Sequence, residues 1–169
     1  MNLLDLLIGL PALGFLAVLL LPRSQPGAAR AVSLAVALAV FVLSLFLVAP
    51  VREAGTTAAF VTDIPWIEAP AIRYHVGVDG LSLWLVILAT LLTPVSILIS
   101  WRAIDQRVKE FHAFLLLLEF GLIGVFVALD LFLFYVFWEV SLVPMYFLIG
   151  IWGHERRIYA AVKFFLFTM

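Results

Sequence analysis

The chain has 169 residues and a formal net charge of −1, and 66% of its residues are hydrophobic against 12% charged. Its mean hydropathy of +1.21 is more than a water-soluble domain of this size needs, and so balanced a charge gives no basic face for nucleic acid. There is no cysteine, which excludes disulfides, iron–sulfur ligation and thiolate zinc sites.

The expected fold class is all-α: a polytopic transmembrane helix bundle with five complete spans and the start of a sixth. The first span, residues 3–21, lacks the basic start and cleavage site of a signal peptide and reads as a retained membrane helix. Asp5 sits at its N-terminal end, where an acid costs little. Pro11 within it is tolerated in a membrane helix, and Pro22 closes it. Residues 22–30 read as a short loop with Arg23 and Arg30 and no acid. The second span, 31–49, holds no charge and reads as a packing helix.

Residues 50–76 are the longest predicted loop. Within it AFVTDIPWI reads as a short amphipathic surface element, with Trp66 at headgroup level. Pro70 falls in the same loop. Asp79 then looks like a helix cap and Gly80 like a tight entry to the third span, 81–101; a buried, functional Asp79 is the other reading. Pro94 is expected to bend this span. Residues 101–111 read as a polar connection.

The fourth span, 112–129, carries an acid, Glu119, roughly 10 Å from the span's start at 1.5 Å per residue. Gly121 and Gly124 follow it and allow close approach by another helix. Only Asp130 separates this span from the fifth, 131–150, so the two are antiparallel neighbours. The fifth span, LFLFYVFWEVSLVPMYFLIG, carries Glu139 near its middle. An acid there costs about 2.5–3.5 kcal/mol on insertion scales and is rarely idle. Pro144 removes a backbone donor and frees the Val140 carbonyl, so a bend is expected just past the glutamate. A carboxyl beside a kink at mid-depth reads as a proton or cation site; the alternative is a glutamate hydrogen-bonded to a neighbouring helix for structural specificity.

A sixth apolar segment, 158–169, includes Lys163, which either snorkels to the headgroups or joins a hydrophilic relay. Its twelve residues make about 18 Å of helix where a span needs about 30 Å, so the expectation is a chain that ends inside a helix. His75, His112 and His154 fall at predicted segment ends and are not paired as a haem pair would be. No cofactor or redox centre is therefore expected. Loops after spans one, three and five carry Arg23, Arg30, Arg102, Arg107, Lys109, Arg156 and Arg157, against Arg52 and Arg73 on the other side. The positive-inside rule then places the N-terminus and loop 50–76 outside the cytoplasm. Glu119 is expected nearer the cytoplasmic surface than Glu139, where water reaches it at lower cost, and so to matter less.

LFLFYVFWEVSLVPMYFLIGIWG, the following RRIYAAVKFFLFT and the earlier HVGVDGLSLWL resemble the M subunit (chain 4) family of respiratory complex I, the antiporter-like membrane subunits of NADH:quinone oxidoreductase. The resemblance covers the whole chain and implies the N-terminal third of a protein of about fourteen helices. It implies that Glu139 matches the family's essential glutamate, which pairs with a lysine on a helix beyond this sequence. Lys163 matches the lysine opening the KFF segment, and Glu119 matches an acid that many members share. It further implies proton translocation without bound quinone, flavin or iron–sulfur cluster, other complex I membrane subunits as partners, and a place in the bacterial inner (plasma) membrane. The related Mrp-type cation/proton antiporter subunits are the alternative. A purely structural scaffold is disfavoured by two acids in adjacent membrane helices.

Overall fold

The computed structural model describes residues 2–55, 57–68 and 72–169. Seven helices and one hairpin follow in order: α1 (Leu3–Leu20), α2 (Pro26–Leu45), α3 (Val48–Ala54), β1 (Ala59–Ile67), β2 (Ile72–Val78), α4 (Gly80–Ala103), α5 (Val108–Val127), α6 (Leu131–Trp152) and α7 (Arg157–Thr168). Among the described residues, five helical segments are long and apolar enough to cross a membrane. Large apolar side chains such as Leu13, Leu20, Leu98, Ile99 and Leu131 point outward. Water would penalise so apolar an outside, and hydrocarbon accommodates it.

Each helix start has a local cause. Asn2 caps α1 in a reciprocal box: its side chain accepts from the Asp5 amide at 3.0 Å and its own amide donates to Asp5 Oδ2 at 2.9 Å. Proline at the first position starts α2, since a missing N–H costs nothing there. The helix thus begins five residues before the predicted span and takes Arg30 inside it, where the guanidinium donates to the Ile104 carbonyl at 2.8 Å. Asp79 caps α4, accepting from the Leu81 and Ser82 amides at 3.0 and 2.8 Å. That satisfies the cap reading and leaves Asp79 exposed. Gly80 meets nothing within 4 Å where a Cβ would stand, so the tight entry expected there is absent. Asp130 caps α6 through the Leu133 amide at 3.0 Å.

The predicted loop 50–76 is ordered differently from expectation. Its first residues form α3, which Gly55 ends at φ +66°, a left-handed geometry that favours glycine. Ala59–Ile67 and Ile72–Val78 pair as an antiparallel hairpin, with Asp63 opposite His75 and Ile64 opposite Tyr74. Pro65 is tolerated because a two-stranded sheet has only edge strands. Pro70 lies outside the described residues. Long-range ties hold the hairpin. The Asn2 amide group donates to the Phe60 carbonyl and Thr62 hydroxyl, both at 2.8 Å, and the Leu129 amide donates to the His75 carbonyl at 2.8 Å. The AFVTDIPWI element is therefore a strand; its Trp66 is exposed and meets Phe132 edge-on, centroids 6.5 Å apart.

α5 is the central helix, packed by α1, α2, α4 and α6. The buried core falls into two apolar clusters. One, toward the hairpin, contains Leu4, Leu7, Val86, Ile123, Val127 and Phe137. The other, at the opposite end, contains Val18, Ala29, Ala37, Ile97, Ala113 and Leu116. That opposite end gathers the basic residues. Lys109 Nζ donates to the Leu21 carbonyl at 2.7 Å, Arg23 pairs with Glu110 at 3.4 Å, and Trp152 donates to the Gln106 carbonyl at 2.9 Å.

Candidate functional site

α5 and α6 cross closely because glycines face the contact. A Cβ on Gly121 would lie 2.9 Å from the backbone nitrogen and Cα of Ser141, closer than real Cβ atoms come. Phe114 stacks on Phe147 with centroids 5.1 Å apart, and Phe120 meets Phe137 edge-on at 5.4 Å. This antiparallel register puts Glu119 level with residues 142–143 and Glu139 level with 122–123. The two acids are thus offset in depth by about one turn, roughly 5 Å.

Glu119 is 1% exposed, and neither carboxyl oxygen has a partner within the described residues. It falls between the two apolar clusters, one turn past Leu116 and one before Ile123. Thr93 of α4 faces it, but that hydroxyl donates to the Ala89 carbonyl at 3.1 Å. Ser44 and Thr90, 3.0 Å apart, place a further polar pair between α2 and α4.

The expected depth of Glu119 is corrected. α5 begins at Val108, four residues before the predicted span, because Lys109 and Glu110 spend their charges on Leu21 and Arg23. Glu119 then lies about 16 Å from the helix start, at mid-depth. By the register above it is still about one turn nearer the basic end than Glu139, as expected, but it is the more enclosed of the two. Glu139 is only half-buried; one of its oxygens, Oε1, is buried without a partner. Tyr135, one turn earlier, is directed at it. A residue from outside these helices can therefore reach Glu139, whereas Glu119 is already enclosed.

Lys163 is exposed on α7, with Nζ 5.8 Å from the ring centroids of both Tyr159 and Phe167. α7 is tied back to α6 by Tyr146 against Phe165 at 5.6 Å and by Trp138 donating to the Thr168 carbonyl at 3.4 Å. That register sets Lys163 about 10 Å in depth from Glu139. The structure therefore brings Glu119 and Glu139 onto adjacent helices and leaves Lys163 apart from both.

His112 was not singled out from the sequence. It sits one turn inside α5, not at a segment end, and is fully buried. Its Nδ1 lies 2.8 Å from the Val108 carbonyl, and its Nε2 is buried without a partner. The spacing 112, 116, 119, 123 along one face was the available signal.

A family model described as the membrane-spanning part of NADH:quinone oxidoreductase and Mrp antiporter proteins matches residues 128–169. NADH-quinone oxidoreductase subunit M of Rhodobacter capsulatus is 44% identical over 171 aligned residues, covering 99% of this chain and 33% of that protein. The chain belongs to this antiporter-like membrane-subunit family. Among solved structures of the family, respiratory complex I from Thermus thermophilus with bound NADH matches with a TM-score of 0.82 and 29% identity, over 97% of this chain and 32% of that one. The Mrp complex from a Dietzia species matches with a TM-score of 0.68 and 19% identity, over 97% of this chain and 17% of that one; this likeness is one of fold. The chain spans about a third of the length of the curated relative from Rhodobacter. The family match at 128–169 takes in Glu139 and Lys163 and stops short of Glu119 and His112.

Proposed function

We propose that this chain is part of a proton-translocating M-type (chain 4) subunit of NADH:quinone oxidoreductase. The observation that carries the reading is Glu139: a carboxyl inside a membrane helix with one buried, unpartnered oxygen and an open side. A cationic partner arriving on that side favours the carboxylate, and its withdrawal favours protonation. Proton affinity thereby follows the movement of charge, and no cofactor is needed here. Electron transfer belongs to other subunits of the complex, which are the partners of this one. Glu119, enclosed one turn away in depth, is the second proton-bearing group, and Lys163 is a secondary candidate. The multi-pass chain lies in the bacterial inner membrane. Its hairpin end and N-terminus face away from the cytoplasm, and its basic end faces the cytoplasm.

The test is Glu139→Gln in the assembled complex, reconstituted in vesicles. Glutamine keeps the size and hydrogen-bonding capacity and removes the titratable charge. Proton uptake and NADH-driven quinone reduction should both fall severely, with subunit content unchanged, and Glu139→Asp should retain part of both. Near-normal pumping by the glutamine variant would mean a hydrogen-bonding role and would defeat the proton-site reading. The Mrp-like fold supports a second reading, a cation/proton antiporter subunit. Co-purification with small antiporter subunits instead of quinone-reducing ones would favour it.

A further inference from the structure

We propose that His112 is the entry relay that carries protons from the basic end of the bundle to Glu119. The inference rests on the proton-translocation reading above and adds to it a residue and a route. The route starts at a cavity of about 480 Å³ at the basic end, lined by Arg23, Asp105, Arg107, Val108, Lys109 and Glu110. Val108 is both part of that lining and the residue whose carbonyl holds the His112 ring.

The hydrogen bond fixes the ring chemistry. A carbonyl only accepts, so Nδ1 must carry the hydrogen, and in the neutral ring Nε2 is the bare lone pair. That lone pair is buried and meets no donor among the described residues. A buried acceptor left open is costly, and a proton-accepting role accounts for it. The step balances simply. Nε2 takes a proton that water relays from the bulk by way of the cavity, the water staying neutral, which gives imidazolium; it then releases one proton toward Glu119 and returns to the starting tautomer. Nδ1 keeps its hydrogen on Val108 throughout, so the ring need not turn over.

Seven residues separate His112 from Glu119, two turns on one helix face and about 10 Å along the axis. That is about three hydrogen-bond lengths, so the side chains alone do not span the gap and the proposed transfer requires water to enter it transiently. Leu116 lies on the same face between them, packed in a cluster with the small side chains of Ala113, Ala29 and Ala37. Arg30 of α2 is the charged group that acts on His112. Its guanidinium donates to Ile104 and its Nε is also buried without a partner. The other packed helices place their titratable groups elsewhere. Asp5 is at the far end of α1, and Arg102 is exposed at the end of α4. On α6, Tyr135 and Glu139 lie deeper, and Tyr146 faces Phe165 of α7.

The test is His112→Asn in the assembled complex. The asparagine amide can still donate to the Val108 carbonyl one turn back, so the structural bond survives and the titratable nitrogen does not. Proton uptake in vesicles should fall about a hundredfold or more, because a positioned proton-transfer group typically contributes about 10²–10⁴-fold. The residual uptake should rise as the pH on the basic side is lowered, because protons must then reach Glu119 directly from water; the parent complex should be flat over the same range. Uptake within twofold of the parent overturns the relay. So does a loss that ignores pH, or failure of both His112→Asn and His112→Gln to assemble, since each marks a structural role. Glu139→Gln run in parallel separates the two ideas: normal pumping there defeats the proposed function, whereas severe loss there with a normal His112→Asn defeats only the relay.

Discussion

Glu119→Leu should stabilise the bundle while it impairs pumping. The side chain is 1% exposed, so nothing outside these helices can supply a partner. Inside them neither oxygen has one among the described residues, so leucine removes no hydrogen bond. A buried polar group left unpaired costs about 1–3 kcal/mol, and an acid at mid-membrane costs about 2.5–3.5 kcal/mol on insertion scales. Leucine is of similar bulk and would join the cluster around Leu116 to the one around Ile123. The expected gain is therefore about 1–3 kcal/mol. Glu119→Gln should gain little, because the amide is as hard to satisfy as the acid. The assay is equilibrium unfolding of the full membrane subunit in mixed micelles with increasing denaturing detergent, set beside proton uptake by the assembled complex. If Glu119→Leu loses more than about 1 kcal/mol, Glu119 has a structural partner and the reasoning fails.

Two further outcomes follow from the ends of the bundle. Cysteines placed singly at the exposed positions Glu53 and His154, in a chain with none of its own, should label from opposite sides of the membrane; labelling from one side would overturn the topology. Asp79→Ala should cost about 1 kcal/mol, the usual worth of an N-cap. Hydrogen bonds from Ser82, then desolvation opposing them, leave the Asp79 carboxyl below its ordinary value of 3.8. The cap's contribution is thus present above that value and lost as pH falls through the lower folded value. The thermal-stability gap between parent and Asp79→Ala should accordingly shrink in acid, and a gap that is constant or widens there would contradict the cap.

The helices were legible because hydropathy over twenty residues is a strong signal; their ends were not. α2 and α5 both start earlier than the apolar runs, since Arg30, Lys109 and Glu110 each find a partner just past the end of another helix, at Ile104, Leu21 and Arg23. A charge reads as loop in one dimension and as a tie in three. The hairpin escaped for a related reason: strand β1 is largely exposed, without the alternation that marks a half-buried strand, and its anchors are Asn2 and Leu129, far away in sequence. Glu139 was visible as a lone charge in an apolar run. His112 was not, because its sequence neighbours Lys109 and Glu110 made the region look like surface.

The contrast between the two acids bears on how charge would move between them. Glu139 has an open side, so its surroundings can change when something beside it moves. Glu119 is buried on α5, the helix that α1, α2, α4 and α6 pack, and so has no open side of that kind. A coupling event at the open side would therefore be felt at the enclosed acid through the field of Glu139 alone. The close crossing at Gly121 and Ser141 keeps the helices bearing them near each other, and their depths differ by about 5 Å. With the usual spacing of roughly 8–10 Å between packed helix axes, that offset puts the two carboxyls about 10 Å apart, where a change of one unit charge at Glu139 is worth about 1.7 kcal/mol at Glu119 at an effective dielectric constant of about 20. That is enough to set which of the two holds a proton. Bulk at Gly121 would weaken this coupling without touching either carboxyl, which gives the small residues of α5 a functional reason beside their packing one.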